Sequence, residues 1–140
     1  MRSWRTIVKR TVLAAGFIFF ASVAAAPLQA HHSPSAIFDM SKRVAVTGTL
    51  TRVDWINPHI VLAIEAKGDG SKAEQWTFQS NPPSWYKSVG LARADFAKAI
   101  GHQITVEAVK ARDGSLYGYM QKIKLPDGTS YELINSADPK

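Results

Sequence analysis

Between Val44 and Trp55 the apolar residues change face, and that change limits the folds open to the chain. Val44, Val46, Gly48 and Leu50 alternate with Ala45, Thr47, Thr49 and Thr51, the two-residue period of a strand with one buried side. After Arg52 the next apolar pair is Val53 and Trp55, so the buried side has switched. A strand that switches sides carries a bulge or a bend. A small barrel needs such a strand to curl between its two sheet faces.

The remaining pattern agrees with a barrel. A second strand is predicted from Ile60 to about Ala66, with Ile60, Leu62 and Ile64 on one side. Asp69-Gly70 makes a turn into a third strand, Gln75 to Gln79, which directs Trp76 and Phe78 inward. Asn81-Pro82-Pro83 ends the sheet, and Ser84 reads as the cap of a short helix that stops at Gly90. A second helical part, Leu91 to Ile100, has Leu91, Phe96 and Ile100 as its apolar residues and Gly101 as its stop. Strands resume at Ile104–Lys110 and, after a hairpin at Asp113-Gly114, at Leu116–Leu125; Asp127-Gly128 then turns into a last strand around Tyr131–Leu133. The expected fold is mainly β: a small OB-fold-like antiparallel barrel with a helical connection between the third and fourth strands. An immunoglobulin-like sandwich is the alternative, and it has no natural place for residues 82–100.

Ahead of this domain stands a segment with the layout of a secretory signal. Arg2, Arg5, Lys9 and Arg10 form a positive start, and an apolar run of 15 residues follows from Val12 to Ala26. That run is shorter than the ~20 residues that span a bilayer as a helix, so export with cleavage is expected over an uncleaved anchor. Cutting after Ala26 would leave Pro27 first, whereas cutting after Ala30 leaves His31 as the new amino terminus. The chain then divides into a cleaved signal at 1–30, an irregular arm at 31–43, a barrel domain at 44–134 and a fraying tail at 135–140. Removing the signal takes four positive charges and no negative ones, so the net +6 falls to +2. No basic run survives to suggest nucleic acid as a partner. The expected product is periplasmic or secreted and is not an integral membrane protein.

The chain has no cysteine, which excludes disulfides, thiolate metal sites and thiol nucleophiles. Any metal would therefore fall to histidine nitrogen, and the four histidines are His31, His32, His59 and His102. A terminal His31 would offer its amino nitrogen and its ring Nδ1 to one ion, closing a chelate. With a third nitrogen this is the histidine-brace arrangement, which suits Cu(II). His59 is the best third donor, since it closes Trp55-Ile56-Asn57-Pro58-His59 between the first two strands, with Pro58 stiffening the loop. His32, Asp39 and Met40 are further candidates from the arm, Trp55 and Asn57 are expected to surround the site, and His102 is expected at the surface. The plainer alternatives are a solvated His-His end and an Asn-Pro-His turn whose side chains bond only to local backbone.

Trp55, Trp76, Trp85, Tyr86, Tyr117 and Tyr119 supply another alternative: a metal-free interaction module holding a partner protein or a glycan in an aromatic groove. Trp76 alternates correctly with Phe78 for a core role, and at most one of the helical neighbours Trp85 and Tyr86 faces inward. There is no Gly-x-Ser-x-Gly, His-Glu-x-x-His, phosphate loop or dinucleotide fingerprint. Binding is thus expected ahead of catalysis.

The chain resembles a family of small exported bacterial proteins of unknown function. The resemblance rests on His31-His32-Ser33, Phe38-Asp39, Gly48-Thr49-Leu50, Trp55 with Asn57-Pro58-His59, Trp76, the helical segment 84–100 and Asp127-Gly128. It departs where the family's Gly-Trp is replaced by Gly90-Leu91. It implies one small exported domain and supplies no activity.

Overall fold

A computed structural model describes residues 33–68, 70 and 72–134. The expected signal and tail, and the two histidines at 31 and 32, lie outside the described residues. One helical turn, α1 (Pro34–Ile37), leads into β1 (Phe38–Asp54), β2 (Val61–Lys67) and β3 (Ala73–Gln79). Two short helices follow, α2 (Pro83–Ser88) and α3 (Arg93–Ala99), and then β4 (Gln103–Ala111), β5 (Tyr117–Lys124) and β6 (Ser130–Glu132).

β1 pairs antiparallel with β2 on one side and β4 on the other, while β2 continues to β3 and β4 to β5. The ring closes where β3 and β5 run parallel, with Thr77 opposite Tyr117 and Gln79 opposite Tyr119. β6 extends β5 outside the ring. This is the strand order expected of an OB-type barrel, with both helices between the third and fourth strands.

The change of face in β1 is a bulge. Leu50 sits opposite Ile64 and Arg52 opposite Ala63, so Thr51 is the extra residue, and its hydroxyl donates to the Ala63 carbonyl at 3.1 Å. Leu50, Ile60, Leu62, Ile64, Phe78, Val106, Met120 and Ile123 are fully buried inside the ring. Gly48 lies where β1 is squeezed between β2 and β4: a Cβ there would meet the Glu65 carbonyl and lie 2.7 Å from Ile64 Cγ2.

Four sequence expectations change. β1 begins at Phe38, six residues ahead of the predicted Val44, within the stretch expected to be irregular. Its pairing with β4 jumps from Phe38–Ala111 to Arg43–Val109, so the residues between are looped out and their alternation is lost. Phe38 lies under a second, outer cluster with Val109, Ala111 and Tyr119. The first helix starts on Pro82 and Pro83 with no side-chain cap, so Ser84 is not the cap; a proline at the first helical position has no amide left unsatisfied. Gly90 (φ +78°) ends α2, and α3 starts only at Arg93, where the Asp95 carboxylate accepts the Ala92 N–H at 2.9 Å. Leu91 and Phe96 are buried as expected, but Ile100 is exposed because the backbone turns extended at that residue.

Among the described residues no helix is long and apolar enough to cross a membrane.

Candidate functional site

The loop after β1 is anchored at both ends. Trp55 is half-buried, its ring 5.5 Å from Tyr86 and 5.4 Å from Phe96, so the indole packs onto both helices. At the other end Ile60 is fully buried; its N–H donates to the Asn81 carbonyl at 3.2 Å and its carbonyl accepts the Ser80 N–H at 2.9 Å. Between these anchors Ile56, Asn57, Pro58 and His59 are exposed, and the Asn57–Pro58 peptide bond is cis.

The His59 ring is held by one defined contact, Nδ1 to the Ser80 carbonyl oxygen at 2.9 Å. A carbonyl only accepts, so Nδ1 carries the hydrogen, and in the neutral ring the lone pair falls on Nε2. Among the described residues no group bonds to Nε2. A ring fixed by a backbone carbonyl on one nitrogen, with the other left without a described partner, has the arrangement metal-binding histidines adopt.

Ser80 and Asn81 are the buried polar residues of the described core; sequence reasoning read Asn81 only as the start of a sheet break and did not single out Ser80. The signal was present: Trp76, Phe78 and Ser80 share one strand parity, so a serine follows two inward aromatics. The Tyr86 hydroxyl donates to Ser80 Oγ at 2.5 Å. The Tyr119 hydroxyl donates to Asn81 Oδ1 at 2.9 Å, and Asn81 Nδ2 donates to the Leu133 carbonyl at 2.7 Å. Phe38 rests on Tyr119 at a ring separation of 5.6 Å, so the start of β1 and His59 are linked through one chain of contacts.

Burial pushes the Tyr86 phenol well above the ordinary tyrosine range, a shift only partly offset by its bond to Ser80. The folded state therefore keeps this proton at pH values where the unfolded chain gives it up, and stability falls as pH rises above about 10. The expected slope from one such tyrosine is about 1.4 kcal/mol per pH unit. Denaturant titrations at two alkaline pH values should show Tyr86→Phe flatter than the parent by about that slope; parallel lines would refute the assignment.

Asp39 does not join the loop. Its Oδ1 accepts the Ser41 N–H at 3.1 Å and hydroxyl at 2.7 Å, and Lys42 Nζ lies 3.7 Å from Oδ2. The Ser41 hydroxyl bond, then the Ser41 amide, hold its carboxyl below the usual range. Met40 packs half-buried against the Phe38 cluster. His102 is exposed, as expected.

The six aromatic candidates are divided between two packed groups and one strand. Trp55, Trp85 and Tyr86 interlock with Phe96, Tyr117 and Tyr119 flank Phe38, and Trp76 stacks on Phe78 at 5.7 Å. Trp76, Tyr86 and Tyr119 are buried, and the other three are half-buried.

The architecture and the loop thus define a small OB-like barrel that presents, among the described residues, one histidine whose ring is held by a backbone carbonyl. By sequence the chain belongs to the family of unknown function DUF6152, whose model matches residues 19–121 and ends within β5. Neither a curated protein nor a solved structure gives a match.

Proposed function

We propose that the protein is an exported small binding protein, periplasmic or secreted, that takes a Cu(II)-type metal ion through histidine nitrogen. Cleavage after Ala30 would make His31 the amino terminus, where it supplies its amine and its ring Nδ1. His59 supplies Nε2, with His32 as a further donor. The observation that carries the reading is His59 itself: exposed, donating Nδ1–H to the carbonyl of buried Ser80, with Nε2 left without a described partner. No three His, Asp or Glu side chains gather as a metal-ligand group among the described residues. The absence of cysteine leaves imidazole and amine as the donors suited to copper.

Copper titration of the chain beginning at His31 tests this. His59→Ala should weaken Cu(II) binding by at least about 100-fold, because it removes a ligand and not merely a neighbour of one. Retained affinity in the folded variant would remove His59 from the site. If the protein is instead a metal-free module for a glycan or partner protein, deleting His31 and His32 will leave partner binding intact and Cu(II) affinity will be weak throughout.

A further inference from the structure

We infer that Tyr86 and Tyr119 are positioning residues for His59, and that through Ser80 and Asn81 they hold its ring as the Nδ1–H tautomer, with Nε2 as an electron-pair donor. Imidazole side chains free in water favour the opposite tautomer, so the arrangement must be imposed by the fold. The imposing group is the peptide unit between Ser80 and Asn81, whose carbonyl accepts the Nδ1 hydrogen at 2.9 Å.

That peptide unit is gripped from both of its residues. Ser80 Oγ accepts the Tyr86 hydroxyl at 2.5 Å, and the Ser80 N–H donates to the Ile60 carbonyl at 2.9 Å. Asn81 is held at both ends of its amide, by the Tyr119 hydroxyl at 2.9 Å and the Leu133 carbonyl at 2.7 Å. The Asn81 carbonyl in turn accepts the Ile60 N–H at 3.2 Å. Four segments therefore converge on two residues: α2, β5, the chain after β6 and the end of the His59 loop.

Packing alone does not call for this arrangement. Ser80 continues the inward parity of Trp76 and Phe78, where an apolar side chain would fill the space without a partner. A buried polar group left unpaired is costly, so the pair is tolerated because both tyrosine hydroxyls and the Leu133 carbonyl partner it. What the polar pair adds is a fixed direction for one carbonyl. A ring locked in this way offers a lone pair and not a hydrogen at its exposed nitrogen. It takes an electron-pair acceptor, such as a divalent transition-metal cation, and has no donor at Nε2 for an anion. This choice of ligand class rests on the metal-binding reading above; the tautomer does not.

The test reads the tautomer without metal. Two-bond proton–nitrogen correlation spectra of the nitrogen-15-labelled chain at about pH 8.5, where histidines are neutral as a class, should show His59 Nδ1 protonated and Nε2 bare. In the double variant Tyr86→Phe, Tyr119→Phe both rings stay and both hydroxyls go. The Nε2–H form should then become the major one, and Zn(II) or Cu(II) affinity should fall by about 10–100-fold. If the double variant does not fold, each single variant should shift the ratio part of the way. A purely structural role for the hydroxyls would lower stability and leave the ratio unchanged in the folded variants, which overturns the proposal; so does an Nε2–H tautomer in the parent. A parent with the Nδ1–H ring, a shifted ratio in the variants and no metal affinity would support the positioning role and defeat the metal-binding reading.

Discussion

Replacing Gly48 with valine should cost the fold about 3 kcal/mol or more, enough to remove a large part of a small domain's stability. Gly48 has no room for a side chain: a Cβ would press on the Glu65 carbonyl and lie 2.7 Å from Ile64 Cγ2. Both obstacles belong to β2, and one is backbone, so relief requires the two strands to part. They are also held from the other side, since Gly48 pairs with Ile104 of β4 as well as Ala66 of β2. A flexible neighbour would have swung aside, but a ladder carbonyl cannot without breaking its pairing. Urea denaturation of the parent and variant measures the loss. A shift under about 0.5 kcal/mol, within the range of ordinary surface substitutions, would mean that β1 and β2 do not approach this closely.

The second large effect concerns the terminus. Chain beginning at His31 should bind Cu(II) about 10²–10⁴-fold more tightly than the same chain with its terminal amine acetylated. Acetylation turns the terminal amine into an amide and so unlinks two donors that had acted as one chelate, a loss of the size that tethering two binding groups confers. The mass of the chain recovered from its producing cells or their medium fixes the first residue, and competition titration of the two forms gives the ratio. Equal affinities would end the role of the terminal amine while leaving His59 as a separate question, because His59→Ala removes only the loop donor.

Much of the barrel was legible because its strands bury one side only. Ile60, Leu62 and Ile64, and Trp76 with Phe78, point inward as their parity predicts. The bulge was readable from Val53 and Trp55 alone. The first residues of β1 were not, because the looped-out stretch between Phe38 and Arg43 erases the period by which a strand is read. Ile100 looked apolar enough for the core, but its exposure depends on where the helix ends, which composition does not specify. The candidate site divides in the same way. His59 was readable from its loop, whereas Ser80 and Asn81 act through a carbonyl and two amide ends. Their partners Tyr86 and Tyr119 come from α2 and β5, and no local pattern predicts contacts between segments so far apart in the chain. Asp39 looked like a ligand by residue type and proved to be tied to its own turn.

The parallel pairing of β3 with β5 has a consequence for how the molecule opens. It fastens Thr77–Gln79 to Tyr117–Tyr119 and so makes residues 80–116 a loop pinned at its base. Helices α2 and α3, all of β4 and the Ser80–Asn81 pair lie inside that loop. None of these can leave its place for long while the pin holds, and the pin gains little until they are in place. The loop that carries His59 has one foot on the pinned segment, so the histidine keeps its direction for as long as the ring stays shut.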